Sequence, residues 1–218
     1  MSETTYSVVD PRSGTAATQI NHMEDIEGLV YVSGAITMAD QCNLLQHIEK
    51  GVWVKETTGR DTQQYGRAFN YRTKLAVDEA PPLPQWLTPV IKKLDALDLT
   101  PKGGFDQVII NKYAAGTGIA FHCDSKKAFL DTIVSISLGC PVYMQFQPND
   151  PAKRKNNKPK NVWLEVGSIL CMNGPARNDW QHRINARRTD LHGGITRTRG
   201  TRISITLRKL VSVPNATM

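Results

Sequence analysis

The chain has 218 residues, of which 40% are hydrophobic and 22% charged, and its formal net charge is +7. This length suits one domain with its own core, and the composition is ordinary for a globular protein. The most apolar stretch, residues 132–146, is too short and too often interrupted by polar residues, glycine and proline to span a membrane.

The four cysteines lie at positions 42, 123, 140 and 171 and form no C-x-x-C pair. That spacing predicts neither a zinc knuckle nor a disulfide framework and is typical of a reducing compartment. The first residues are polar and acidic, without the basic and then apolar segments of a secretory signal. We therefore expect an intracellular protein, cytoplasmic or nuclear. The sequence does not fix the oligomeric state, and a monomer is favoured.

The N-terminal half predicts two helices. Residues 1–25 are polar, lack hydrophobic periodicity and predict a flexible N-terminal arm, so the folded domain is expected over residues 26–218. Residues 29–32 predict a short strand, and a helix then begins at residues 37–40 and ends near Gly51. After a proline cluster, residues 85–97 predict a second amphipathic helix.

From Phe105 onward the pattern changes to short runs of β-branched and apolar residues, separated by Gly, Pro, Asn or Asp. These runs predict strands at residues 107–113, 132–138, 142–147, 162–165, 168–172 and 202–207. Helices followed by short strands predict an α+β fold that is mainly β, a sandwich or jelly roll with the N-terminal helices packed on its outer sheet.

Positive charge is concentrated in the C-terminal part. Residues 151–209 carry 14 of the 27 Lys and Arg residues with only three acids, whereas the remainder has 13 basic and 17 acidic residues. Such a basic half predicts a surface for a polyanion such as nucleic acid, and the alternative is a merely solvated basic face. The basic candidates are the exposed loop 149–161 and the arginines at 183, 187, 188, 197 and 199.

His122 and Asp124 form an H-x-D pair just after a glycine-rich turn at residues 114–118. Residues i and i+2 of an extended segment project to the same side, so the two side chains can hold one metal ion. A second histidine from another strand would complete a facial triad with open coordination positions, and His182 and His192 both follow a predicted strand. The alternative for an isolated H-x-D is a surface histidine beside a capping aspartate.

The predicted strand at 202–207 places Arg202, Ser204, Thr206 and Arg208 on one face. Two arginines on the inward face of an apolar strand are costly unless anions pair with them. A bound dicarboxylate supplies two such anions, and arginine grips carboxylates in a bidentate manner. The alternative is an edge strand whose arginines face solvent.

Taken in order, these motifs resemble the AlkB family of Fe(II)/2-oxoglutarate-dependent dioxygenases, over about residues 29–210. The likeness is closest to the AlkB domain of the homologue that hydroxylates tRNA wobble uridine, with residues 128–139 and 200–202 as the most telling stretches. The residues that carry it are Asn111-Lys112-Tyr113, His122-x-Asp124, His182 and Arg202-x-Ser204-x-x-x-Arg208.

The resemblance implies a double-stranded β-helix with Fe(II) at its mouth, held by His122, Asp124 and His182. It also implies that Asn111, Tyr113, Arg202, Ser204 and Arg208 surround 2-oxoglutarate, with Arg202 and Tyr113 at the distal carboxylate. In this family, O2 and 2-oxoglutarate are consumed to hydroxylate a C–H bond. A hydroxylated N-methyl group is then lost as formaldehyde, whereas an ordinary carbon keeps its hydroxyl group.

The substrate expected from the resemblance is a modified base in nucleic acid, RNA ahead of DNA, with a protein side chain or small molecule as the alternative. Family members that repair cationic bases resemble one another in an acid two residues after the metal aspartate. That position here is Lys126, which disfavours a cationic base unless the lysine swings out to solvent. Residues 52–75 occupy the place of the nucleotide-recognition lid.

The lid is rich in aromatic residues and arginines, which can stack a splayed base and hold its phosphates. The alternative is that Trp53, Phe69 and Tyr71 simply pack on the outer sheet. The substrate-contact candidates are Trp53, Tyr65, Arg67, Phe69, Tyr71 and, outside the lid, Lys126.

Overall fold

Two antiparallel sheets pack face to face in the computed structural model, which describes residues 6–8, 18–56, 59–155 and 157–211. The strands are β1 (Tyr6–Val8), β2 (Thr18–His22), β3 (Leu29–Ser33), β4 (Val54–Lys55), β5 (Arg60–Tyr65), β6 (Arg67–Asn70), β7 (Leu75–Glu79), β8 (Gln107–Tyr113), β9 (Ile119–His122), β10 (Phe129–Leu138), β11 (Val142–Pro148), β12 (Lys160–Leu164), β13 (Ile169–Met172), β14 (Trp180–Ile184), β15 (Thr189–His192), β16 (Ile195–Thr198) and β17 (Arg202–Leu210). The helices are α1 (Met38–Glu49), α2 (Thr88–Ala96, after a 3-10 turn at Gln85–Leu87), α3 (Pro151–Arg154) and α4 (Gly174–Asn178).

The larger sheet has the strand order β1-β2-β3-β13-β10-β17-β8-β5-β4, and the smaller sheet has the order β12-β11-β14-β9. Strands that are distant in sequence lie side by side in both sheets, as in a jelly roll. The mainly β fold with N-terminal helices is confirmed. In the part of the chain that the structure describes, no helix has the length and apolar character needed to cross a membrane.

Strand alternation divides the apolar residues between two cores. On β17, Ile203, Ile205 and Leu207 face a core that also contains Leu44 of α1 and Leu94 of α2. The second core fills the space between the sheets and contains residues of β10, β11, β12, β13 and β14. The helices therefore cover one face of the larger sheet, and the smaller sheet packs against the other face. Residues on that other face can line an interior site between the two sheets.

Helix α1 begins and ends close to where the sequence predicts it. Thr37 caps α1, and its hydroxyl oxygen accepts a hydrogen bond from the backbone N–H of Asp40 at 3.2 Å. An N-cap threonine satisfies one of the N–H groups that a helix start leaves unpaired. The predicted second helix divides into the 3-10 turn and α2.

The predicted flexible arm is wrong for residues 18–22, and residues 1–5 and 9–17 of it lie outside the described residues. Thr18–His22 forms β2, which pairs with β3 through residues such as Ile20 opposite Val32. The stretch escaped prediction because β2 is only half buried, and its partner strand supplies hydrogen bonds that no local pattern shows. The predicted basic loop 149–161 likewise contains the short helix α3.

The hairpin of β15 and β16 pairs with neither sheet. Asp190 braces its base from within, because its buried carboxylate accepts hydrogen bonds from Arg199, at 2.5 Å from Nε and 3.0 Å from Nη2, and from Arg187 at 2.7 Å. His192 stacks on Trp163 of β12 with ring centroids 4.2 Å apart, and its Nδ1 lies 2.8 Å from the hydroxyl oxygen of Tyr143. The hairpin is thus a ribbon that is braced internally at Asp190 and held against the smaller sheet at His192.

Replacing Asp190 with Asn should lower the free energy of unfolding by roughly 3 kcal/mol, because it leaves the buried Arg199 cation without its anion. The equilibrium urea-unfolding midpoint measures this change. The matched control is Lys160→Gln, which removes the exposed pair between Lys160 and Asp25 at 2.8 Å and should cost less than about 1 kcal/mol. Equal midpoints for the two variants would contradict the role given to Asp190.

Candidate metal and 2-oxoglutarate site

His122, Asp124 and His182 converge at one end of the smaller sheet. His122 ends β9 and lies directly opposite His182 of β14 in the strand register. One potential ligand atom from each of the three side chains lies within 4.8 Å of the others, and the imidazole centroids are 4.3 Å apart. Two histidines and one carboxylate in this arrangement fit the facial triad of non-haem Fe(II) oxygenases. His192, the other sequence candidate, lies on the β15–β16 ribbon.

The glycine-rich turn allows this convergence. A Cβ added to Gly118 would lie 2.2 Å from the carbonyl oxygen of Ile184, so only glycine permits β9 to start this close to β14. From there the strand carries His122 directly opposite His182. The turn therefore supplies the close approach that a two-strand metal site needs.

The histidines are prepared to act as metal ligands. His122 Nδ1 lies 2.9 Å from the carbonyl oxygen of Ala120, which can only accept a hydrogen bond. In the tautomer that donates Nδ1–H to this carbonyl oxygen, Nε2 has the lone pair that coordinates a metal. Burial and the neighbouring His122 lower the pKa of His182 to about 3, so this imidazole is neutral and able to coordinate.

Arg208 holds the Asp124 carboxylate. Its Nε and Nη2 lie 3.3 Å from Asp124 Oδ2 and Oδ1, and both side chains are largely buried. Burial by itself would raise the pKa of Asp124, but the charge of Arg208, followed by the two histidines, lowers it well below its usual value. Asp124 is consequently an anion under all ordinary conditions, as a metal ligand must be.

A cavity of about 780 Å³ extends from these three residues to the larger sheet. The register places Arg202 opposite Tyr113, Ser204 opposite Asn111 and Ser137 opposite Ser204, so three neighbouring strands present polar groups on one face. The cavity-lining residues of those strands are Ile109, Asn111, Tyr113, Phe129, Ser135, Arg202, Ser204, Thr206 and Arg208. Arg202, Ser204, Thr206 and Arg208, which the sequence places on one face, all line this cavity.

Arg202 is a buried cation without an acidic partner among the described residues. It is 3% exposed, its Nη2 lies 3.1 Å from the hydroxyl oxygen of Ser137, and its guanidinium lies 5.7 Å from the Tyr113 ring centroid. Arg202 Nε and the Ser135 hydroxyl are buried and lack hydrogen-bond partners in the described part of the chain. Such unsatisfied groups are costly, so their presence in a cavity indicates an anionic ligand. A five-carbon dicarboxylate between Arg202 and the metal triad fits this donor set.

The predicted lid separates into two groups. Phe69 and Tyr71 line the cavity, with ring centroids 5.2 Å apart, and belong to or follow strand β6. Trp53 and Tyr65 instead pack against the helix-side core, which for Trp53 is the alternative that the sequence left open. Of the aromatic candidates in the lid, only Phe69 and Tyr71 are therefore brought to the cavity.

Two further substrate candidates lie outside the cavity lining. Arg67 is exposed on β6, and Lys126 donates a hydrogen bond from Nζ to the carbonyl oxygen of Asn178 at 2.8 Å. Lys127 and Lys74 line the cavity instead. The positive charge expected beside the substrate thus comes from different lysines, since the turn after Asp124 decides which of two adjacent side chains faces inward.

Sequence reasoning missed three further residues at or near the site. Arg60 lines the cavity with its guanidinium 5.1 Å from the Tyr71 ring centroid, and Phe129 contacts both Phe69 and Arg208. Arg177 of α4 is 3% exposed, and its Nε and Nη1 lack hydrogen-bond partners among the described residues. An inward arginine such as Arg60 was detectable only from its pairing opposite Tyr113, which the sequence does not reveal.

Most of the C-terminal arginine run is engaged internally. Arg199 and Arg187 bind Asp190, and Arg183 Nε donates a hydrogen bond to Gln145 at 2.8 Å while its guanidinium lies 4.3 Å from the Phe121 ring centroid. Arg188 and Arg197 are exposed. The polyanion surface predicted from this run therefore rests on fewer side chains than the sequence suggested.

Comparison with known proteins places these features in context. The family described as the 2OG-Fe(II) oxygenase superfamily matches residues 18–208. Uncharacterized protein L905 of Acanthamoeba polyphaga mimivirus is 29% identical over 88% of this chain and 90% of its own length. The mouse (Mus musculus) protein named tRNA (carboxymethyluridine(34)-5-O)-methyltransferase ALKBH8 is 30% identical over 86% of this chain, which covers 31% of that relative. The solved structure of OsALKBH1 shares the fold, with a TM-score of 0.66, 17% identity, and coverage of 87% of this chain and 99% of that one.

Replacing Arg202 with Met should raise the dissociation constant for 2-oxoglutarate roughly 10–100-fold, since hydrogen bonds to charged groups contribute about 1.5–3 kcal/mol. The melting temperature without ligand should not fall, because the variant removes a buried cation that has no acidic partner. Calorimetric titration of the Mn(II)-loaded protein measures the affinity. Lys209→Met, on the same strand but bound to the carbonyl oxygen of Gly103, is the control. An unchanged affinity for Arg202→Met would remove this arginine from the site.

Proposed function

Because this chain belongs to the 2OG-Fe(II) oxygenase superfamily, as a member of its AlkB family, we propose that it oxidises a modified base in nucleic acid, RNA ahead of DNA. Its family uses Fe(II), 2-oxoglutarate and O2. The observation that carries the proposal is the convergence of His122, Asp124 and His182 beside a cavity with an unpaired buried arginine. The cavity also has a basic, aromatic-lined wall.

Bound iron and 2-oxoglutarate together supply the oxidising chemistry. The two electrons of the C–H oxidation and the two of 2-oxoglutarate decarboxylation reduce one O2 molecule. One oxygen atom enters succinate and the other enters the substrate as a hydroxyl group, with release of CO2. If the hydroxylated carbon is an N-methyl group, formaldehyde is then lost and the nitrogen keeps a hydrogen.

The protein's own residues position these reactants. His122, Asp124 and His182 would hold the metal on one side and leave its other positions open toward the cavity. Arg202 would bind the distal carboxylate of 2-oxoglutarate, with Tyr113 beside it, while Asn111, Ser204 and Arg208 would lie nearer the metal end. The apolar side chains of Ile119, Met144, Met172 and Ile184 line the same cavity and would exclude water from it.

Nucleic acid is favoured because the cavity wall beyond the metal combines aromatic rings with cations. Phe69 and Tyr71 offer faces for a splayed base, and Arg60, Lys74 and Lys127 offer positive charge for its phosphates. Asp124 is the one carboxylate among the described cavity-lining residues, and Arg208 already neutralises it. This charge balance favours a neutral or anionic base over a cationic one.

RNA is proposed as a substrate ahead of DNA because of the similarity of this chain to a relative whose name refers to tRNA. A relative that is 30% identical over 86% of this chain carries tRNA in its name. The named activity is a methyl transfer by a protein of which this chain covers only 31%, so that activity is not carried over to this chain. What is carried over is the class of substrate.

The proposal is tested with the wild-type chain, Fe(II), ascorbate and 2-oxoglutarate, in the presence of total tRNA, genomic DNA or no nucleic acid. We expect tRNA to stimulate succinate formation, and nucleoside mass spectrometry to find a nucleoside that gains one oxygen atom or loses a methyl group. His182→Ala, which removes one metal ligand, should abolish both signals, whereas His47→Ala on α1 should not. Succinate formation that responds to peptides or small molecules but not to nucleic acid would contradict the proposal.

Lys127→Glu should shift the substrate preference toward cationic bases, because the carboxylate lines the cavity where the ammonium group stood. Since the side chain is exposed, we expect a change of roughly fivefold in relative kcat/KM for 1-methyladenine over an uncharged modified base. Lys126→Glu makes the same charge change at a side chain directed to Asn178 and should have a smaller effect. Equal shifts in both variants would show that general electrostatics, rather than cavity lining, sets the preference.

A further inference from the structure

The β15–β16 ribbon exposes two large apolar side chains at its free end. Leu191 is 64% exposed and Ile195 is 59% exposed, on either side of a turn made by Gly193 and Gly194. Both glycines have positive φ angles, of 58° and 76°, which L side chains rarely adopt. The turn is therefore tight, and the two apolar groups sit close to the tip.

The apolar groups lie on opposite faces of the ribbon. Leu191 is paired with Thr196, and Ile195 is paired with His192. Cross-strand partners share a face and neighbours along a strand alternate, so Ile195 is on the His192 face and Leu191 is on the other. A thin element with one aliphatic group on each face near its tip has the form of a wedge, not of a flat docking surface.

The ribbon is also fixed in place and positively charged. Asp190 braces it internally through Arg187 and Arg199, and His192 holds it against Trp163 of the smaller sheet. Arg188 and Arg197 are exposed, whereas the single acid between residues 185 and 200, Asp190, is buried. Its outward charge is thus complementary to a polyanion.

The base of the ribbon lies beside the substrate cavity. The side chain of Arg188 approaches Gly116, with its Cγ 3.3 Å from where a Cβ on that glycine would stand. Gly116 lies in the same turn as Gly118, which lines the cavity. On the other strand, Asn185 directly follows the cavity-lining Ile184, and its carbonyl oxygen accepts a hydrogen bond from Arg199 at 2.7 Å. A nucleic-acid strand with one nucleotide in the cavity would therefore meet the ribbon next.

We propose that the β15–β16 ribbon is a wedge for base-paired nucleic acid, with Leu191 and Ile195 contacting base faces and Arg188 and Arg197 contacting phosphates. This inference rests on the proposed function, because it takes nucleic acid as the substrate. Placing a base in the cavity opens a gap in the base stack, and aliphatic side chains can fill such a gap or widen a base step. The arginines supply the affinity that does not depend on sequence.

The test measures binding to an unmodified RNA hairpin that carries 2-aminopurine in its stem, without iron or 2-oxoglutarate. Wild-type protein should raise the 2-aminopurine fluorescence by unstacking the probe. The double variant Leu191→Ala/Ile195→Ala should lose that rise and bind roughly tenfold more weakly, with an unchanged salt dependence. Its control is Met38→Ala/Val52→Ala, which truncates two side chains that are 70% and 85% exposed elsewhere on the chain.

The arginines are tested separately by the salt dependence of the same binding. Arg188→Gln/Arg197→Gln should reduce the slope of log K against log salt by about 1.8, since each phosphate contact contributes roughly 0.9. Lys50→Gln/Lys92→Gln, at exposed positions on the helices' side, should leave the slope unchanged.

A fluorescence rise that survives in the double alanine variant would overturn the wedge. So would self-association of the wild type in sedimentation that this variant abolishes without any effect on RNA binding, since the apolar pair would then join two copies of the chain. Both readouts are independent of turnover. A failure of the proposed oxidation would therefore appear in the succinate assay alone, while a failure of the wedge would appear here.

Discussion

A buried positive charge needs an anion, and this constraint governs the interior of the protein. Strand β17 has one face in the apolar core under the helices and the other in the cavity between the sheets, where Arg202 and Arg208 lie. Moving a guanidinium group out of water costs several kcal/mol unless a partner restores the lost interactions. Arg208 has its partner in Asp124, and Arg202 has no acidic partner among the described residues. The fold thus leaves Arg202 as the buried cation whose anion a ligand can supply.

The same electrostatics extend to the metal ligands. Arg177, like Arg208, lies near Asp124, and burial lowers the pKa of this guanidinium although Asp124 works in the opposite direction. The Asp124 carboxylate is therefore surrounded by more positive than negative charge. This charge keeps the carboxylate ionised, but the two guanidinium groups also compete with a metal ion for it. A metal held by neutral histidines and by this one shared carboxylate retains affinity for anionic ligands, as a site that must also bind the carboxylate end of 2-oxoglutarate requires.

What could be predicted from the sequence follows from how each element is buried. Strand β8 was predicted with its observed bounds because it is almost wholly buried and has the β-branched apolar residues Val108, Ile109 and Ile110 at its centre. The hairpins β6–β7 and β15–β16 were not predicted, because their exposed positions need no alternation of apolar and polar residues. The H-x-D pair was readable because its two ligands are local. By contrast, the inward direction of Lys127 rather than Lys126 depends on a turn in which Ser125 accepts backbone hydrogen bonds from Ala128 and Phe129.

The distribution of arginines shows why net charge alone is a poor measure of a nucleic-acid surface. Of the C-terminal run, Arg183 and Arg199 are held by internal hydrogen bonds, so their charge maintains the sheet and the ribbon. The internal hydrogen bonds of these arginines also help the exposed arginines to bind. Arg199, by fixing Asp190, orders the ribbon that carries Arg197, so the exposed cation loses little conformational freedom when it binds. Buried arginines such as Arg199 thus make the ribbon rigid, and that rigidity fixes the position of the exposed Arg197.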